Sequence, residues 1–306
     1  MSPEYLILGV IVAALTLYAV LAGADFGGGV WEFNLAMRAP EADRSLIYRA
    51  IGPVWEANHV WLIFILVGLW SAFPPAFAGV TQALWVPLSL ALLGIVFRGV
   101  GFVFRSHVSG HVRQESAWGV LFALASTAAP FFLGATAGAL ASGRAAVLAD
   151  GTPTGDVVFD WIGLTPLFGA FFTVGACAFL AATFLTREAA VEGDEATRER
   201  WRKRALVTGA VVGVMAVAGV GVLRIDDPEI WDGFTSRAWP LVLVSAAGGG
   251  AALWSLWTRR YLLAALAAGG AVGSVVWGWA AAQYPYLIPP DLEIATAKGP
   301  DTVLWA

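Results

Sequence analysis

Ile51-Gly-Pro-Val-Trp-Glu-Ala-Asn-His-Val-Trp-Leu62 sets three polar side chains, Glu56, Asn58 and His59, at the mouth of the apolar run Val60 to Phe73. Trp55 and Trp61 bracket them. An acid, an amide and an imidazole are costly beside hydrocarbon unless they face other helices, water or a partner. The span this stretch opens, residues 54–73, has the ~20-residue length a bilayer core demands of a helix. The rest of the chain is expected to hold this stretch at a membrane interface, beside a partner protein.

The wider composition agrees. Of 306 residues, 58% are hydrophobic and 13% charged, and the mean hydropathy is +0.73. Apolar runs of span length recur from end to end, which excludes a soluble domain and predicts an all-α polytopic membrane protein. Eight spans are predicted, at 4–23, 54–73, 78–97, 118–141, 161–186, 204–223, 238–257 and 261–283. They form one integral membrane domain over residues 1–306. The polar link 142–160 divides it into two four-helix groups, 1–141 and 161–283, followed by a tail, 284–306, whose aromatics and prolines suit an interfacial anchor. The first run reads as a span rather than a cleaved signal, because it lacks a basic start and leads into a Gly-rich, acid-bearing segment. Cys177 is the only cysteine, so no internal disulfide forms.

Lysine and arginine set the orientation. The connections after spans one, three, five and seven carry Arg38, Arg44 and Arg49; Arg98, Arg105 and Arg113; Arg187, Arg198, Arg200, Arg202, Lys203 and Arg204; and Arg259 and Arg260. The opposite side carries only Arg144, Arg224, Arg237 and Lys298. The odd-numbered connections are therefore expected in the cytoplasm and both termini outside. The Glu56 stretch then lies at the cytoplasmic end of the second span.

Candidate residues follow from this frame. The first span runs on through Leu21-Ala-Gly-Ala-Asp-Phe-Gly-Gly-Gly-Val-Trp31, where Gly23 and Gly27 form a small-xxx-small face. Asp25 either faces a neighbouring helix or caps a turn that starts near Phe26. Gly209 with Gly213, and Gly248 with Ala252, offer similar close-packing faces. A carboxyl such as Glu56 at the hydrocarbon edge exchanges protons nearer neutral pH than in water, as the entry of a proton path needs; the plainer alternative is an acid paired with a nearby arginine. Asn58 either orients Glu56 or glues two helices. His59 is a relay, a satisfied interface histidine or a ligand. His107 and His111 fall in a polar connection, so no pair of histidines sits at depth in the spans to hold haem, and no metal site is expected. Arg98 and Arg105, seven apart, share a face if their helix continues, and either pair with Asp25 or Glu56 or meet lipid headgroups. Segment 187–204, with alternating acids and bases, reads as a solvated loop or short surface helix without chemistry. No nucleophile elbow, phosphate loop, dinucleotide fingerprint or nucleic-acid-binding pattern is present.

Four blocks carry a resemblance. Gly23-Ala-Asp-Phe-Gly-Gly-Gly-Val-Trp31, Ile51 to Leu62, Ala72-Phe-Pro-Pro75 and Phe97-Arg-Gly-Val-Gly-Phe-Val-Phe-Arg-Ser106 resemble, in order, subunit II of the cytochrome bd-type quinol oxidases. Beyond residue 110 the likeness rests on length and span count. The resemblance implies eight helices in two four-helix bundles. It also implies a partner subunit I that carries the haems b and d and the quinol site, in a bacterial cytoplasmic membrane. It further implies quinol oxidation coupled to reduction of dioxygen to water, with protons drawn from the cytoplasm. A small single-helix subunit and a quinone held as a structural group are further features of parts of that family. By the resemblance Glu56 belongs to the proton path, where many relatives carry Asp, and Trp61 to an oxygen route. The acid before the glycine cluster maps to Asp25, while a second acid found in some relatives is replaced by Ala22. This chain is then a haem-free supporting subunit, not catalytic alone. The competing reading is a stand-alone proton-coupled transporter, which would place acids or broken helices near the midplane in paired halves. Here the acids cluster at one interface.

Overall fold

The computed structural model describes residues 2–35, 40–53, 55–107, 112–300 and 304, with no side chains described at 34–35, 106–107, 112–116 and 228–229. The readings made above for Arg38, His107, His111 and Arg113 therefore lie outside the described side chains. The chain folds as α1 (Pro3–Leu35), α2 (Glu41–Ile51), α3 (Trp55–Ala72), α4 (Pro74–Ala83), α5 (Trp85–His107), α6 (Val112–Ala141), α7 (Leu164–Val191), α8 (Glu195–Asp226), α9 (Pro228–Gly233), a π-helical turn (Phe234–Ala238), α10 (Trp239–Trp257) and α11 (Tyr261–Gln283). A two-stranded hairpin, β1 (Tyr286–Ile288) with β2 (Leu292–Glu293), and a short α12 (Ile294–Ala297) follow. Among the described residues seven helices are long and apolar enough to cross a membrane, and up to eight if α2 and α3, which meet at a bend of 49°, count as one span.

Most predicted spans coincide with a helix, but two expectations change and one open alternative is decided. The third span does not start at 78: Pro74 and Pro75 open a separate short helix, α4, which ends at Leu84, and the spanning helix begins at Trp85 and runs on through Arg105. Proline suits the first positions of a helix, where its missing N–H has no partner to lose. Second, α1 extends unbroken through Asp25 to Leu35, so Asp25 is not a cap. At 33 residues it is roughly 50 Å long, far beyond the hydrocarbon thickness. Third, residues 187–204 are neither a loop nor a separate short surface helix but the ends of two long helices. The α7 helix continues to Val191, and α8 starts at Glu195 with Asp194 as its N-cap, accepting from the Thr197 backbone N–H at 3.0 Å. The Thr197 hydroxyl and backbone together hold the Asp194 carboxyl below its ordinary pKa.

Helix α1 is central, packing on α3, α6, α7 and α11. Small residues let it do so. A Cβ added at Gly27 would lie 1.9 Å from the Cys177 carbonyl oxygen of α7, and one at Gly23 would lie 3.2 Å from Leu180. Without a hydrophobic drive between helices in lipid, this backbone approach supplies the dispersion contacts that hold the pair. Gly209 is likewise filled by Phe179 and Leu253, whereas Gly213 faces open space. Gly248 meets the Ala267 carbonyl of α11, and Ala252 is fully buried. The tail is more than an anchor: Ile288, Leu292, Ile294 and Ala297 are buried in one cluster with Phe73 and Ala76, and the Gly299 N–H donates to the Ala72 carbonyl at the end of α3.

Candidate functional site: a ladder of buried charges at one end of the bundle

Charge collects on the last turns of α1, and the heptad-like spacing explains how. Residues seven apart share a helical face. Asp25 and Glu32 do so on α1, and Arg98 and Arg105 on α5. The structure joins them as two rungs. Arg98 donates to the Asp25 carboxylate, and Arg105 Nη1 donates to Glu32 Oε1 at 2.8 Å. Lower-numbered pairs with lower and higher with higher, so α1 and α5 run parallel. That is the relation the basic-residue count requires of spans one and three.

The first rung is fully enclosed. Asp25 is 3% exposed and Arg98 1%. The guanidinium sits 5.0 Å from the Phe26 ring centroid and 5.5 Å from that of Phe122. Two desolvated charges survive only as a pair with good geometry, and the flanking aromatic faces add cation–π attraction. From α3, Asn58 is also buried. It donates to the Leu21 carbonyl at 3.4 Å and lies beside the Asp25 carboxylate. His59, half-buried, lies 6.2 Å ring to ring from Phe26 and feels the Arg98 charge. A cationic neighbour is a poor setting for an imidazole asked to ligate a metal. Among the described residues no three His, Cys, Asp or Glu side chains converge as a metal-holding group.

Glu56 is not drawn into the pairing with a nearby arginine that was the plainer alternative. It is exposed on the first turn of α3 and has no ion pair or hydrogen bond among the described residues. The first turn of α3 thus grades from exposed Glu56 through half-buried His59 to buried Asn58. Trp55 packs on Phe102 at 5.6 Å, and Trp61 packs against the α1-centred core. Gly23 and Gly27 face α7 rather than the acid's partner.

The second rung and its neighbours escaped the sequence reading. Glu32, 1% exposed, also accepts from Arg44 Nη2 at 3.0 Å, and Arg105 donates to the Tyr48 hydroxyl while its guanidinium lies 4.0 Å from that ring. Asp43 on α2 is wholly buried between Arg200 at 2.6 Å and Arg204 at 2.7 Å, both from α8. Arg204 in turn lies 4.6 Å from the Trp201 ring, which meets Trp31 edge-on at 5.6 Å. Glu32 is therefore clasped by arginines from two helices, α2 and α5, and Asp43 by two arginines of α8, while Asp25 has Arg98 alone among the described arginines. The seven-residue spacing from Asp25 to Glu32 was a signal for the former; nothing local in the sequence marks Asp43. Outside this end, an open apolar groove of about 540 Å³ runs along α8, lined by Gly209, Ala210, Gly213, Val214, Val217, Ala218 and Leu253.

Comparison with known proteins places these features. A family model described as Cytochrome bd terminal oxidase subunit II matches residues 3–306. The cytochrome bd ubiquinol oxidase subunit 2 of Bacillus subtilis (strain 168) is 28% identical over 71% of this chain and 62% of its own length. The cytochrome bd-I ubiquinol oxidase subunit 2 of Escherichia coli (strain K12) is also 28% identical, over 72% of this chain and 56% of its own. The chain thus spans about three-fifths of the length of these curated relatives. A chain in the structure of bd oxidase from Geobacillus thermodenitrificans superposes with a TM-score of 0.81 at 24% identity, covering 100% of this chain and 92% of that one, which establishes the same fold. On the match across its full described length, the chain is a member of the cytochrome bd terminal oxidase subunit II family.

Proposed function

We propose that this chain is the haem-free second subunit of a bd-type quinol:oxygen oxidoreductase in a bacterial cytoplasmic membrane, with both termini periplasmic. It supports a subunit I that would carry haems b and d, which would supply the redox chemistry of quinol oxidation and dioxygen reduction. In this reading the chain contributes the cytoplasmic mouth of the proton supply: Glu56 collects protons at the rim, and His59, Asn58 and Asp25 lead inward. The observation that carries this is the graded burial over one turn of α3, from exposed Glu56 to Asn58 beside the enclosed Asp25–Arg98 pair. A carboxylate at the surface and another inside, separated by polar side chains, is what proton entry requires. An exposed Glu56 also suits a face that a partner subunit covers. In this reading Trp61, which packs on the α1-centred core, belongs to an oxygen route through this chain. A structural quinone would find apolar space for its tail in the α8 groove, whose walls offer no polar side chain to a headgroup.

Family membership, and the clustering of the buried acids Asp25, Glu32 and Asp43 at one end of the bundle, favour this over a proton-coupled transporter. Glu56→Gln in the assembled complex tests it. Slower proton uptake and oxygen consumption with an unchanged haem spectrum are expected. Normal uptake and turnover would remove Glu56 from the route.

A further inference from the structure

The enclosed rung leaves several polar atoms without protein partners. Asp25 Oδ2, Arg98 Nε and Nη1, the Tyr18 hydroxyl and His59 Nδ1 are all buried and have no hydrogen-bond partner among the described residues. Tyr18 is 5% exposed, Asp25 3% and Arg98 1%. These atoms belong to one neighbourhood. The Tyr18 ring meets Phe26 edge-on at 6.4 Å, Phe26 lies under the Arg98 guanidinium and beside His59, and Tyr18 interacts electrostatically with both Arg98 and Asp25. Leaving so many buried donors and acceptors unmet would cost about 1–3 kcal/mol each, more than a marginally stable protein sustains. Buried polar groups that protein atoms do not satisfy are met by internal water, which needs two to four polar partners of both kinds. Donors and acceptors are both present here. On α1, Tyr18 and Asp25 are seven residues and so about 10 Å apart along the axis, on one face: too far for a direct bond, near enough for bridging.

We propose that Asp25, Arg98, His59 and Tyr18 enclose a binding site for ordered water, and that the Tyr18 hydroxyl holds its deep end, towards the middle of the membrane. Tyr18 is thus a positioning residue: it touches no substrate, and fixes the water that bridges back to the Asp25–Arg98 pair. The site stands on this geometry; its use in proton delivery rests on the route proposed above. With water held between a carboxylate and a hydroxyl, a proton reaching Asp25 passes on by hydrogen-bond exchange rather than stopping at the ion pair.

Tyr18→Phe removes one hydroxyl and keeps the ring, so packing against Phe26 is preserved. In the purified, assembled complex, infrared difference spectra should lose bound-water O–H stretching bands, and oxygen turnover should fall by about threefold to tenfold, the range set by one ordinary hydrogen bond. Lost water bands with unchanged turnover would uphold the water site and refute the proton route through Asp25. Unchanged water bands in Tyr18→Phe, whatever the turnover, would overturn the site. Should the variant assemble poorly, a density map of the unaltered complex decides the matter: water density bridging Tyr18 and Asp25 supports the site, and direct protein contacts in its place refute it.

Discussion

Replacing Asp25 and Arg98, singly and together, separates what this pair does for the fold from what it does for protons. Asp25→Asn leaves the Arg98 guanidinium charged in a site where it is 1% exposed, against two aromatic rings. Breaking such a pair from either side costs about 3–5 kcal/mol, because the surviving charge stays buried without its partner. The direct attraction is of the same size: opposite unit charges about 3 Å apart gain about 5 kcal/mol at an effective dielectric constant of 20. Arg98→Met, which keeps the long apolar stem, should cost a similar amount by stranding the carboxylate. The double variant Asp25→Asn with Arg98→Met removes both charges at little change in volume, and should return to within about 1–2 kcal/mol of the parent. Heat or detergent unfolding of the intact complex, followed by loss of the native assembly on size-exclusion, measures all four corners of the cycle. The two single losses should therefore together exceed the double loss by at least about 4 kcal/mol. Additive losses would mean that the two side chains do not act on each other, and the enclosed ion pair would have to be given up. The stable double variant then answers the second question. Having no titratable carboxyl at position 25, it should take up protons more slowly than the parent; normal uptake would leave Asp25 with a packing role only.

Two further outcomes follow from the packing. Gly27→Ala forces a Cβ to within 1.9 Å of the Cys177 carbonyl and should destabilise the α1–α7 contact by about 1–3 kcal/mol, while Gly213→Ala, with nothing within 4 Å, should be silent; equal stability of the two in unfolding experiments would refute the close approach. Asp43→Asn strands two arginines whose side chains are 33% and 19% exposed, so screening trims the loss to about 2–3 kcal/mol. Fluorescence of the neighbouring Trp31–Trp201 pair should report local loosening, and an unchanged emission and melting temperature would count against the clasp.

The spans were legible because length and apolarity alone identify them. Which face of a span carries a contact was not legible where the helix is apolar all round, as in α3: no polar stripe tells inside from outside. That is why Glu56, beside hydrocarbon in the sequence, could not be assigned to the exposed side of this chain. The onset of α5 was missed because Leu84, where α4 ends, carries none of the glycine or proline punctuation that normally marks a break. Glu32 was visible in principle through its spacing from Asp25, but only the parallel α5 gives that spacing a partner. Asp43 and its arginines lie 157 residues or more apart in the chain, a distance over which no local pattern reports. The charged stretch 187–204 had the composition of a surface loop or short surface helix; that two of its arginines, Arg200 and Arg204, meet a buried acid on another element is invisible to composition.

Short helix α2 binds the early and late halves of the chain together. Glu32 is tied to it through Arg44, α8 through Asp43, and the end of α7 through the exposed Arg49–Glu192 contact. At the other extremity, the segment after α11 closes over the end of α3. Contacts at both ends oppose rocking of one half against the other, which is the motion that carries cargo across a membrane by alternating access. Such a body is better suited to stand as a fixed wall than to carry cargo by moving.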